Sequence, residues 1–365
     1  MQALLRNVDR WLFEEYRTSL EDLAIFRILF ASYVLIGTLP IGLWLHDLPQ
    51  ASFSPPISLA ALFRDYPPYW VIYALNLATI FFTFTLLIGW RTAYSSFGVC
   101  IGTVLTQSFC YADGKIDHDI LIAIVPLMLA RSGWGDHYSF DAGHVERKDA
   151  SAAERQPWLS AILALLIACA VFTAGLAKYH GGWLSLHSLA IRWQLLPNFC
   201  LVERTTGVGA WAMRTLQPWA WKSMDISTVL WEMSFVLAVP RRSWFRFYCA
   251  FGALFHMGVW QMFGIGFAPN AVAYGAFLPW SRLAQSTPAR LRRWLVEHAR
   301  LLALIPLALI LAKLFVLGPD AIEQMEGLME GTALIAAFVV ALCYLAWLIA
   351  RSFLFFRQRA PRTVG

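Results

Sequence analysis

Four ionisable side chains lie in stretches otherwise apolar enough for a membrane: Arg27 in LAIFRILF, Lys178 in TAGLAKYHGGW, Glu232 in TVLWEMSFVL and His256 in GALFHMGVWQMFGIG. Each such group costs about 2.5–3.5 kcal/mol at bilayer depth on insertion scales, so each calls for a function or a buried partner. Lys178 offers the most chemistry. His180 stands two residues on, and Gly181 and Gly182 let backbone or ligand approach closely before Trp183. A lysine desolvated among helices can act as a base, although a lysine snorkelling at the interface fits the same spacing. His118, in KIDHDILIAIVP, stands between Asp117 and Asp119, and flanking carboxylates fix an imidazole's tautomer and raise its basicity. Glu232 reads as a functional carboxylate or as half of a buried ion pair, with Arg27 as a candidate partner. Arg27 itself, one turn into its helix, is expected to snorkel to the headgroups. His256 is followed five residues later by Gln261, and reads as a satisfied core imidazole or as a site group.

Other chemistries lack their signatures. There is no HExxH, GxSxG, P-loop or strand-borne GxGxxG. No two histidines fall at helical spacing within an apolar segment, and the six cysteines form no CxxC pair, so no metal is expected and the cysteines read as small apolar residues.

The elements that must position these groups follow from composition. Of 365 residues 59% are hydrophobic and 14% charged, against about 25% charged in soluble chains, and mean hydropathy is +0.56. These figures exclude disordered, collagen-like and disulfide-scaffold classes and point to an all-α, polytopic integral membrane helix bundle. A crossing needs about 20 apolar residues. That yardstick marks about ten segments: 23–45, 69–90, 93–112, 118–130, 158–178, 226–240, 243–265, 268–280, 300–317 and 331–355, of which 118–130, 226–240 and 268–280 are short. The first twenty residues are polar, so no cleavable leader is expected and the first crossing directs insertion.

Net charge +6 does not mark a nucleic-acid binder, because the 29 Lys and Arg are scattered through interhelical segments. With both termini cytoplasmic, twenty of them fall inside and seven outside, as the positive-inside rule requires. Five of those seven (Lys178, Arg192, Arg204, Arg214 and Lys222) crowd into 178–224, which suggests a purpose other than orientation. The expected organisation is a cytoplasmic segment 1–22, a membrane domain 23–282, a basic linker 283–299, an appended hairpin 300–355 and a basic tail 356–365. By this topology Lys178 and His118 share the exoplasmic face.

SLEDLAIFRILFASYVL, KIDHDILIAIVPLMLARSGWGDHYSFDA, AGLAKYHGGWLSLHSLAIRW and LFHMGVWQMFGIGFAPNAVAY together resemble the HTTM domain, the membrane part of the vitamin K-dependent γ-glutamyl carboxylases. The resemblance covers about residues 16–282. It implies that Lys178 is the base that deprotonates a reduced quinone and that His118 assists carbanion formation and carboxylation, with His256 a third site residue. It further implies a lyase using reduced vitamin K or menaquinol, O2 and CO2 or bicarbonate on an exported peptide. Asp117, His180, Trp183, Arg192, Glu232 and Gln261 are the candidate substrate or quinone contacts. Beyond the membrane part the carboxylases carry a large lumenal domain, whereas here two apolar helices and a basic tail follow. A non-catalytic membrane factor for maturation or export of a secreted peptide is the alternative. The expected setting is a bacterial inner membrane, the site facing the periplasmic side, in contact with lipid.

Overall fold

In a bilayer every backbone amide must be satisfied within its own segment, so apolar runs of this length fold as helices. The computed structural model describes residues 2–113, 118–143, 156–201, 206–317 and 319–359, and it is all-α, without a strand among the described residues. In chain order the helices are α1 Gln2–Arg10, α2 Leu20–Tyr33, α3 Tyr69–Ile88, α4 Thr92–Cys110, α5 Leu121–Leu129, α6 Pro157–His180, α7 Ala190–Cys200 and α8 Gly207–Thr215. They continue with α9 Pro218–Ser234, α10 Arg242–Phe263, α11 Ala268–Tyr274, α12 Trp280–Ser286, α13 Ala289–Glu297, α14 Ala299–Phe315 and α15 Pro319–Arg359. Four helical stretches, Leu20–Asp47, Tyr69–Ile88, Pro157–His180 and Gln324–Arg351, are long and apolar enough to cross a bilayer. The protein is an integral, multi-pass membrane protein.

Several elements depart from their expected bounds. The first crossing is not continuous to residue 45: helix runs from Leu20 through a π-turn ending at Thr38, and the cis Leu39–Pro40 bond precedes a short helical turn at Leu43–Asp47. Helix α5 has nine residues, or ~14 Å of rise, well short of the hydrocarbon thickness. Helix α9 begins eight residues before the expected 226, with Pro218 at the first helical position, where its missing N–H is no loss. The basic linker is itself partly helical, as α13. Helices α7 and α8 occupy what reads as an exoplasmic loop.

The chain forms two compact units, Met1–Ala170 with Val272–Glu330, and Val171–Ala271 with Gly331–Gly365. This division cuts across both the expected 23–282 domain and the 300–355 hairpin. In the first unit, α3 and α4 pack tightly because α4 carries Gly98 and Gly102 one turn apart: Gly98 lies against the Phe82 ring and Gly102 against Thr79. Small residues at this spacing let membrane helices approach closely. Arg27, on α2, is fully buried and donates to four backbone carbonyls: Nε to Trp134 (3.0 Å), Nη1 to Leu86 (2.6 Å) and Leu87 (3.0 Å), and Nη2 to Tyr138 (2.6 Å). Two of these carbonyls belong to the last turn of α3, where a cation favours the helix dipole. Arg27 therefore does not snorkel; it closes the end of α3. Lys313, on α14, is also buried and donates to the Leu39 carbonyl (3.0 Å) and to Glu326 (3.1 Å), so α14 is an integral part of this unit.

Candidate functional site

Lys178 lies in the last turn of α6, in the second unit, and the turn that follows decides its surroundings. Gly182 adopts φ +76°, a left-handed conformation open to glycine. The Trp183 amide then bonds back to the Lys178 carbonyl (3.2 Å) and the Gly182 amide to the Tyr179 carbonyl (3.1 Å). This double bond pattern is a Schellman helix ending, in which the residue after the left-handed one folds onto the last turn. Trp183 is that residue, and its ring centre lies 5.5 Å from Lys178 Nζ, within cation–π range. The YHGGW sequence thus ends a helix and lays an aromatic ring beside the lysine.

Lys178 Nζ donates to both Glu232 oxygens, at 2.8 and 2.7 Å. Glu232 comes from α9, and its side chain is 7% exposed against 26% for Lys178, so the pair opens outward from the lysine side. Gly175, one turn before Lys178 on the same face of α6, makes room for it: a Cβ there would meet Glu232 Cβ at 2.8 Å and the Met233 backbone at 3.0 Å. The partner of Glu232 is Lys178, and Arg27 is held by backbone, so the expected Arg27 pairing does not occur.

A second buried pair anchors the turn. Lys222 Nζ donates to the Trp183 carbonyl (2.8 Å), to Ser188 Oγ (3.4 Å) and to Asp225 Oδ2 (2.8 Å). Asp225, fully buried, accepts from the amides of Ala190 (3.0 Å) and Ile191 (2.9 Å) at the start of α7, whose own residue at that point supplies no side-chain cap. A carboxylate at a helix N-terminus is favoured by the dipole. Trp183 also packs against the apolar cluster of Ile191, Leu195, Ala212 and Trp221. Asp225 was missed in the sequence. Its signal was the i, i+3 spacing Lys222–Asp225, visible once the helix is drawn from Pro218.

The remaining candidates lie on several elements. His256 is buried on α10, stacked on Phe267 (ring centres 4.9 Å apart, planes at 15°) and edge-on to Trp231 (6.3 Å). Gln261 is exposed, with Nε2 4.0 Å from Met257 Sδ. It borders a cavity of about 10 Å³, room for one water. His180 and Arg192 are exposed. Asp117 lies outside the described residues, as does the side chain of His118, which opens a short helical turn before α5. Of the five cations in 178–224, Lys178 and Lys222 belong to these two ion pairs, Arg192 and Arg214 are exposed, and Arg204 lies outside the described residues.

An ammonium held by a carboxylate under an indole face can bind an acidic hydroxyl or an anion, or pass a proton between nitrogen and carboxylate without changing the net charge of the pair. No family model, curated protein or solved structure matches the chain.

Proposed function

We propose that this protein is a quinol-coupled membrane enzyme of the HTTM, γ-glutamyl carboxylase-like kind. In this reading it crosses a bacterial inner membrane about ten times, both termini are cytoplasmic, and the site opens to the periplasmic side. The observation that carries the reading is the Lys178–Glu232 pair beneath Trp183, in the last turn of an apolar helix, which in this reading exchanges a proton. A proton moving from Nζ to Glu232 leaves a neutral amine, and that amine takes a proton from the hydroxyl of a reduced quinone. Trp183 supplies an aromatic face for the quinone ring and keeps water from the pair. The bound quinol, reduced vitamin K or menaquinol, would supply the reducing electrons, with O2 as oxidant and CO2 as the added carbon. The substrate is a glutamyl side chain of an exported peptide. His118 and His256 keep the roles that the resemblance implies, assisting carbanion formation and carboxylation and completing the site.

The test uses purified full-length protein with reduced menaquinone or vitamin K, O2, labelled bicarbonate and a Glu-containing peptide. Labelled peptide and quinone epoxide are expected, and both should vanish in Lys178→Ala. If neither product forms, or both persist unchanged in that variant, the reading is wrong.

The bidentate geometry favours a second reading, because a fully engaged ammonium also satisfies a purely structural role. As a non-catalytic factor for maturation or export of a secreted peptide, the protein would keep its cellular function in Lys178→Met/Glu232→Met and lose it on changes to 181–189.

A further inference from the structure

We propose that α1, with the π-turn Trp11–Glu15 that extends it, is an in-plane lipid anchor, one face sunk between the headgroups and acyl chains of the leaflet where α2 begins. Leu5, Val8, Leu12 and Phe13 recur at i, i+3, i+7 and i+8, which is one face of a helix. Arg6, Arg10 and Glu14 recur four apart on the other side, with Asp9 at the border, and Arg10 and Glu14 face each other there at 3.9 Å. Leu5, Val8 and Phe13 are 55%, 42% and 47% exposed, so the rest of the chain leaves most of the apolar face uncovered. A stretch of nine α-helical and five π-helical residues is marginal in water unless that face finds a surface.

The junction with α2 identifies the surface. Tyr16, directly after the π-turn, is fully buried and stands edge-on to Phe277, ring centres 5.9 Å apart. Arg17 Nε donates back to the Phe13 carbonyl (3.2 Å) and closes the first helix, while Ser19 Oγ accepts the Asp22 amide (3.1 Å) and opens the next. That next helix begins the first stretch able to cross a bilayer, Leu20–Asp47. Tyr16 is therefore fixed to the bundle within ~14 Å of extended chain from the start of a crossing. An apolar face that leaves the bundle at this depth meets lipid before water. The α-helical part rises only ~14 Å, too short to cross, so it must lie along the boundary. Leucine, valine and phenylalanine on one face and arginine on the other is the composition of a helix resting at that boundary, the guanidinium groups reaching back to the headgroups.

The test places the photo-reactive residue p-benzoylphenylalanine at position 5 or 8 on the apolar face, or at 6 or 10 on the polar face, of the full-length protein in phospholipid nanodiscs. After irradiation, mass spectrometry of the N-terminal peptide reads what each position has captured. Phospholipid adducts should predominate at 5 and 8 and be about tenfold fewer at 6 and 10. Crosslinks to this chain or to a second copy predominating at 5 and 8, equal lipid capture on both faces, or no capture of lipid would overturn the proposal. The second measurement is hydrogen exchange in Leu5→Glu/Val8→Glu, whose exposed positions lie outside the core, so the bundle should fold. Amides 6–10 should exchange at least about tenfold faster than in the parent protein in the same nanodiscs, because the helix loses the surface that holds it. Unchanged exchange would show that lipid does not support this helix, and the proposal would fail.

Discussion

Arg27 and Lys178 are both cations within apolar spanning helices, yet one is held by four backbone carbonyls and the other by a single carboxylate. Backbone acceptors belong to the scaffold and cannot turn away, so Arg27 is as fixed as the helices it joins. A glutamate can change rotamer, and either partner can lose the other to a ligand. Burial of a charge therefore does not identify a site; the mobility of its partner does.

The sharpest way to break this contrast is Arg27→Met, which leaves four carbonyls without their donor. It should lower the unfolding free energy by about 3–5 kcal/mol, read by unfolding in detergent, since several buried polar groups lose their partners together. Preserved stability would remove Arg27 from the scaffold. Lys178→Met leaves Glu232 buried and uncompensated and should lose about 3 kcal/mol, while the double variant Lys178→Met/Glu232→Met should recover most of it. Failure of the double variant to recover would show that Lys178 has a further structural role. Asp225→Asn removes the charge that caps α7 and holds Lys222, at a cost of about 2 kcal/mol. It should also quicken modification of Lys178 by an amine-directed reagent, located by peptide mass mapping; unchanged labelling would uncouple the turn from the site. The smallest effect is expected for Gly182→Ala, about 1 kcal/mol for a side chain at positive φ, with a modest rise in the same labelling.

The membrane class was legible because apolar runs of crossing length permit little else. Helices 69–90, 93–112 and 158–178 emerge within two residues of their expected ends. What escaped was polar: AIRWQLLPNFC has charge, amide and proline inside it, so no apolar periodicity announces α7, whose start is secured by Asp225 from a different helix. Lys178 and Glu232 were each visible as costly residues, but pairing is a tertiary property, and Gly175, which permits it, reads as an ordinary small residue in an apolar run. The double glycine before Trp183 was legible as a place of close approach; its role as a helix ending depends on a backbone angle that sequence suggests and geometry supplies.

Helix α15 has 41 residues, ~60 Å of rod, about twice the hydrocarbon thickness. Its apolar stretch, the 28 residues from Gln324 to Arg351, is itself ~42 Å long, and only 11% of its most apolar window is buried by protein. Such a segment must tilt or thicken the bilayer around it, at a fraction of a kcal/mol per Å of mismatch. Membrane thickness therefore becomes a mechanical input to this chain: a thinner bilayer lays the rod over, and a thicker one lets it stand.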